Sequence, residues 1–389
     1  MKAIVLGGGI AGVEAAIWLK KEGFDVDLVS PRPYLYIYPI SIWIPVGKID
    51  FYDVCLPLEK LANIHGFNWI DDEIVKIEAK NKKVFGKNSV YEDFDYLVIA
   101  MGSGKIKYEG EDNYLSICGD PKEAILLREK LDLLISQKQK GEIAVGFGGN
   151  PKDTTAVRGG PAFEVIFNID NYLKKKGVRD NFELTFFATM EEPGKRLGPN
   201  ALKMMDLFFK KLNIKKHFGK NIKRFEKDGI IFEDDSILKS DLTMFIPAGE
   251  GHPVFKESDL PLSESGTILI NDYAEVEDIS NVYAIGDSAY IKGPNWRAKQ
   301  GHIAEVLARN CANNIAVSSG KKIGQMKSYL DHLNILCVMD SGDGAAFVYR
   351  DNKRGLMIPM PIFGHWLKKG WGWYFKNSKL NKIPRIPGL

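Results

Sequence analysis

"KAIVLGGGIAGVEAAIWLKKEG", Lys2 to Gly23, decides how this chain begins to fold. The apolar run over residues 2–6 predicts a buried strand, and the apolar spacing over 10–21 predicts a helix. Lys2 followed by apolar residues to Leu19 has the outline of an export signal, but the glycines between strand and helix break it. The expectation is a chain without an export sequence, in the cytoplasm or peripheral on the inner face of the cell membrane. Gly7, Gly9 and Gly12 fit GxGxxG directly after a strand and before a helix. The first glycine permits the tight turn, the second lets backbone N–H groups approach a pyrophosphate, and the third lets helix pack on strand. The next strand, "DVDLVS", ends at Ser30, where an acid normally holds the adenosine ribose. A serine hydroxyl can make that hydrogen bond less strongly.

Two further stretches select the dinucleotide. "FDYLVIAMGSG" is a hydrophobic strand that leads to Gly102, and "NVYAIGDSA" is a strand ending in Gly286 and Asp287. A carboxylate at the C-terminal end of a parallel strand points at the cofactor crevice, where a ribityl hydroxyl can be its partner; as a helix cap Asp287 would instead be structural. "KQGHIAEVLARNCANNIAV" then predicts a helix from about Gly301, with free N–H groups at its start. Three such elements in this order imply FAD.

Composition sets the limits. A chain of 389 residues with 45% hydrophobic content can bury a large core and fill two or three domains. A net charge of +3 is too balanced for a nucleic-acid binder. Cysteines at 55, 118, 311 and 337 show no metal-ligand spacing, so neither a metal site nor a disulfide scaffold is expected.

The fold class is α/β, with two Rossmann-like dinucleotide-binding domains and a C-terminal membrane-associating segment. Residues 1–110 and 246–325 read as a discontinuous FAD-binding domain, 111–245 as the second Rossmann-like domain, and 326–389 as the C-terminal region. In the second domain the strand "EIAVGFGG" is followed by "NPKDTTAVR" before "GGPAFEVIFNIDNYLKKKG" can begin as a helix. That insertion separates the glycines from the strand and weakens a nicotinamide-nucleotide seat. In "MPIFGHWLKKGWGWYFKNSKLNKIPRIPGL", helical spacing puts Phe363, Trp366, Leu367, Trp371 and Tyr374 on one face, with Lys369 and Lys376 opposite. Aromatic rings and lysines so arranged suit a membrane surface without a span.

The ordered segments "LSICGDPKEAILLREKL", "GGPAFE", "TMFIPAGEGHP", "NVYAIGD", "KQG" and "LNILCVMDSGDGAAFV" resemble the sulfide:quinone oxidoreductases. Their cousins are flavocytochrome c sulfide dehydrogenase and type II NADH dehydrogenase. The resemblance implies FAD, a small sulfur donor, quinone as acceptor and a membrane-facing C-terminus. It implies that Cys118 and Cys337 match two of three family cysteines, and that Lys299 and Gly301 lie near the flavin ring. At the third cysteine position this chain has Arg158. A thiolate is favoured beside a cation, so Arg158 is expected to lower the pKa of Cys337 or to hold an anionic sulfur species. Glu164 reads as a proton-transfer acid or as a charge complementing a helix start. Two alternatives stay open: a type II NADH:quinone dehydrogenase, and a non-catalytic or electron-transfer flavoprotein subunit. Homo-oligomerisation also stays open.

Overall fold

The computed structural model describes residues 1–361 and 363–385, so the predicted C-terminal region 326–389 extends beyond the described residues. Strand β1 (Lys2–Leu6) is almost wholly buried and feeds helix α1 (Ile10–Lys21), followed by β2 (Asp25–Val29), β3 (Asn68–Ile70) and β4 (Tyr96–Ile99). The chain then builds a second unit from β5 (Gly141–Phe147), α2 (Gly159–Lys175), β6 (Phe182–Ala188), β7 (Ile214–Phe218) and β8 (Leu242–Ile246). It returns through β9 (Val282–Ala284) and α3 (Gly301–Ser318). A meander of β10 (Ile335–Asp340), β11 (Gly344–Arg350) and β12 (Gly355–Pro361) leads into α4 (Phe363–Lys379).

The first sheet has the order β9-β4-β1-β2-β3 and the second β7-β6-β5-β8, with every neighbouring pair parallel. In the first, Val5 lies between Leu28 and Val98, and in the second Val145 lies between Phe186 and Met244. These residues are buried, as continuous apolar runs in parallel sheets covered on both faces should be. The chain passes between the two sheets through a short antiparallel pair, Gly104–Lys105 with Glu250–Gly249.

The turn between β1 and α1 explains its glycines. Gly7 has φ +107°, and a Cβ there would lie 2.4 Å from the Ala100 carbonyl oxygen. A Cβ on Gly12 would fall 1.8 Å from the Gly7 oxygen. Helix α1 therefore rests directly on the turn, and its N-cap Gly9 has no side-chain cap, leaving the first N–H groups to face outward. Replacing Gly12 with Ala forces backbone apart and is expected to cost about 1–3 kcal/mol. Denaturant unfolding checks it, and wild-type stability would contradict the packing described.

Candidate active site

The strand ends of both sheets face one cavity of about 1630 Å³. That volume exceeds the roughly 300–1,000 Å³ of ordinary ligand pockets. Gly7, Gly9, Ser30, Gly102, Asp287, Lys299 and Gly301 line it, while Gly12 supports the turn from beneath. Cys118, Arg158, Glu164 and Cys337 line the same cavity. The Ser30 hydroxyl donates to the Arg32 carbonyl oxygen at 3.2 Å. Lys299 is buried and donates to the Asp287 carbonyl oxygen at 3.0 Å, with the Asp153 carboxylate at 3.5 Å. Burial brings its pKa down to about 8. The uncapped start of α1, the open space beside Gly9 and the carboxylate of Asp287 fit a pyrophosphate and a polyol chain.

Arg158 does not stand beside Cys337 as a charge partner. It is ion-paired with Asp287. The acidity of Cys337 is set by burial first, which pushes the thiol up to about 12, then by the Glu164 carboxylate, with Lys368 opposing. The expected lowering of its pKa by Arg158 is therefore corrected: the guanidinium has a carboxylate to satisfy and takes it. Cys337 sits within β10, half-buried on the cavity wall. All four cysteines are free thiols.

Around Cys337 lies a buried polar network that only tertiary structure assembles. Glu164 stands in the second turn of α2, paired with Lys368 of α4 and accepting the Asp340 N–H at 2.7 Å. Its pKa is raised to about 7 because burial outweighs the lysine. Asp340 accepts from Trp43 Nε1 and Asn168 Nδ2, each at 3.0 Å, and pairs with His365 Nδ1 at 2.6 Å. Lys48 donates to Asn168 Oδ1 at 3.0 Å and to the Gly342 oxygen at 2.8 Å. Sequence reading missed Lys368, Asp340, His365 and Lys48. Lys368 carried one signal, since it shares a helical face with Gly364, Gly372 and Phe375.

That buried face also corrects the predicted lipid-facing set. Phe363, Trp366 and Leu367 are exposed, the first two at 76% and 65%. Trp371 instead turns inward, lines the cavity and packs on Phe375 with ring centres 5.1 Å apart. Tyr374 is half-buried, and Trp373, exposed at 62%, occupies the outer face. Gly372 explains the rotation: it seats the helix against Ile40, where a Cβ would approach within 2.9 Å. Exposed Leu356 and Ile358 of β12 add to the apolar surface. Among the described residues no helix is long and apolar enough to cross a membrane, and no cluster of side chains could hold a metal ion.

A profile of the pyridine nucleotide-disulphide oxidoreductases matches residues 1–308. The chain belongs to that family. This oxidoreductase is 25% identical over 401 residues to the sulfide-quinone reductase of Aquifex aeolicus, covering 96% of this chain and 89% of that relative. It is 24% identical over 372 residues to the type II NADH:quinone oxidoreductase of Staphylococcus epidermidis, covering 90% of each. The X-ray structure of the Aquifex aeolicus sulfide:quinone oxidoreductase superposes with a TM-score of 0.86 at 23% identity, covering 98% of this chain and 92% of that one. The protein is an FAD-dependent oxidoreductase of two dinucleotide-binding folds.

Two outcomes follow for this site. Glu164→Gln removes the negative neighbour of Cys337, so alkylation of that thiol at alkaline pH should accelerate by up to about tenfold, one pKa unit. Arg158→Ala should leave the rate unchanged, and an equal effect of both substitutions would contradict the pairing. Trp366→Ala with Trp373→Ala should weaken vesicle partitioning at least about tenfold, whereas Trp371→Ala should lower thermal stability. Flotation that responds to Trp371 alone would reverse the assignment.

Proposed function

We propose that this oxidoreductase works on a membrane surface, taking electrons from a small sulfur donor at Cys337 and delivering them to quinone. One observation carries the reading. The cavity that begins at the Gly7–Gly9 turn continues past Cys337 to Leu367 and Trp371, so it reaches the helix whose outer face is apolar and aromatic. A lipid-soluble acceptor can thus approach from the membrane while a water-soluble donor comes from elsewhere. The sulfide–quinone and NADH–quinone activities named for its relatives are consistent with a quinone acceptor.

Bound flavin supplies a two-electron relay. The residues manage protons. Cys337 is a protonated thiol at neutral pH, and the Glu164 carboxylate opposes its ionisation. A proton passing from Cys337 to Glu164 relieves both constraints, forming the thiolate and removing the opposing charge. Glu164, at about 7, is tuned for such exchange near neutral pH. Lys368 reaches it from α4 and holds the pair at the acceptor end of the cavity.

NADH is the second reading, favoured by Gly149, Thr189 and Glu191, which extend the cavity over the ends of β5 and β6. The loop 148–158 counts against it, because it separates strand from helix where a pyrophosphate would rest. Anaerobic addition of donor to the flavin-loaded protein separates the readings: bleaching by sulfide and not by NADH is expected. Bleaching by NADH only selects the second, and by neither selects an electron-transfer subunit. With sulfide, the reduction rate should rise with pH through about 7 as Glu164 becomes a base. Glu164→Gln should lose that rise and about 100-fold in rate; an unchanged profile would remove Glu164 from the mechanism.

A further inference from the structure

We propose that His302, in the first turn of α3, takes up a proton from solvent when the bound flavin is reduced. The residue lies on the stretch of cavity wall between the polyol side and the thiol. Lys299, three residues earlier, donates to the Asp287 carbonyl oxygen, and a Cβ on Gly301 would lie 3.5 Å from Ile10 Cδ1 at the start of α1. On the other side, His302 Nε2 meets Asn334 Oδ1 at 2.8 Å, and Gln300 Oε1 accepts the Leu336 N–H at 3.4 Å. The start of α3 is thus tied to the chain that enters β10 and leads to Cys337. A group reaching from the Gly7–Gly9 turn to Cys337 passes this point.

The hydrogen bonds fix which ring nitrogen is available. Asn334 Nδ2 donates to the His332 carbonyl oxygen at 3.2 Å, which turns Oδ1 toward the imidazole. Nε2 therefore carries the hydrogen, and Nδ1 has no partner among the described residues. The ring lines the cavity and is half-buried. Burial lowers its pKa below the usual histidine value, and the bonds to Asn334 oppose this only in part. Carboxylates on the elements around it are taken or exposed. Glu305 of its own helix and Glu14 of α1 are paired with Lys379, Asp287 with Arg158, and Asp153 faces Lys299. Asp331 and His332, in the segment before Asn334, are exposed. With Cys337 a protonated thiol, nothing charges the imidazole, and it is neutral at neutral pH while the flavin is oxidised.

Reduction changes that balance. Two electrons accompanied by one proton add one negative charge to the cavity. Helix α3 begins there with no acid in its first turn and no side-chain bond at its N-cap, so its N–H groups share that charge without neutralising it. A negative neighbour favours the imidazolium form. A second proton then leaves solvent and bonds to Nδ1, so that two electrons enter with two protons and the net charge of the cavity does not change. This uptake is the same whatever supplies the electrons, so the inference rests on bound flavin and not on the donor or acceptor assigned above.

The test is an electrochemical titration of the flavin-loaded full chain, with the midpoint potential followed by flavin absorbance between about pH 5 and 8. Each proton taken up with two electrons lowers that potential by about 30 mV per pH unit. The wild type should fall by about 59 mV per unit over part of the range, and His302→Gln, which keeps a donor for Asn334, by about 30 mV throughout. Asn334→Asp sets a carboxylate beside the imidazole and should move the steep region up by about one pH unit. A merely structural role would produce neither change. A slope of about 30 mV per unit throughout in the wild type, an undiminished steep region in flavin-loaded His302→Gln, or a steep region that Asn334→Asp leaves in place would overturn the inference.

Discussion

Parallel strands end where helices begin, and in this chain two parallel sheets end on the same cavity. Helix starts bring partial positive charge to that space, and Lys105, Arg158, Arg196 and Lys299 bring full charges. A cavity with this field is unfavourable when dry and empty and favourable when it holds anions. The ion pair of Arg158 with Asp287 and the contact of buried Lys299 with Asp153 are responses to that one constraint.

At the opposite end of the cavity the constraint is reversed, because a carboxylate must survive burial next to a thiol. Glu164 does so through Lys368, and Lys368 belongs to the same helix that exposes Phe363, Trp366 and Trp373. The far end of that helix is pinned as well. Lys379 is fully buried between Glu14 of α1 and Glu305 of α3, and Arg385 adds a second cation to Glu14. Glu14 also accepts from Trp18 Nε1 at 2.6 Å. The apolar face and the glycine turn are therefore parts of one cross-braced body, since Glu14 lies one turn into α1 from that turn.

The sequence made some of this legible and concealed the rest for physical reasons. Strand 2–6 and helix 10–21 follow from glycine spacing and periodicity, and the structure has Lys2–Leu6 and Ile10–Lys21. Cys337, Arg158 and Glu164 were singled out through the family resemblance, whereas the sequence left open whether Cys118 would share their cavity, because only folding brings its segment there. The partner of Arg158 was not legible, because a long cation chooses among carboxylates brought near only by folding. Lys368 was concealed by its charge: a lysine in an amphipathic helix reads as solvent-facing until a buried carboxylate is known to await it. Trp371 and Trp373 differ by two steps on one helix, and the small side of Gly372, invisible to a count of aromatic residues, decides which of them turns inward.

We propose that reducing equivalents arrive through the Cys337 sulfur on β10. It is tested most directly by stopping the anaerobic reaction with sulfide after a single flavin reduction and determining the mass of the peptide containing Cys337. One additional sulfur atom is expected on Cys337 and none on Cys55 or Cys311. An unmodified Cys337 peptide from protein whose flavin has been fully reduced by sulfide would contradict it.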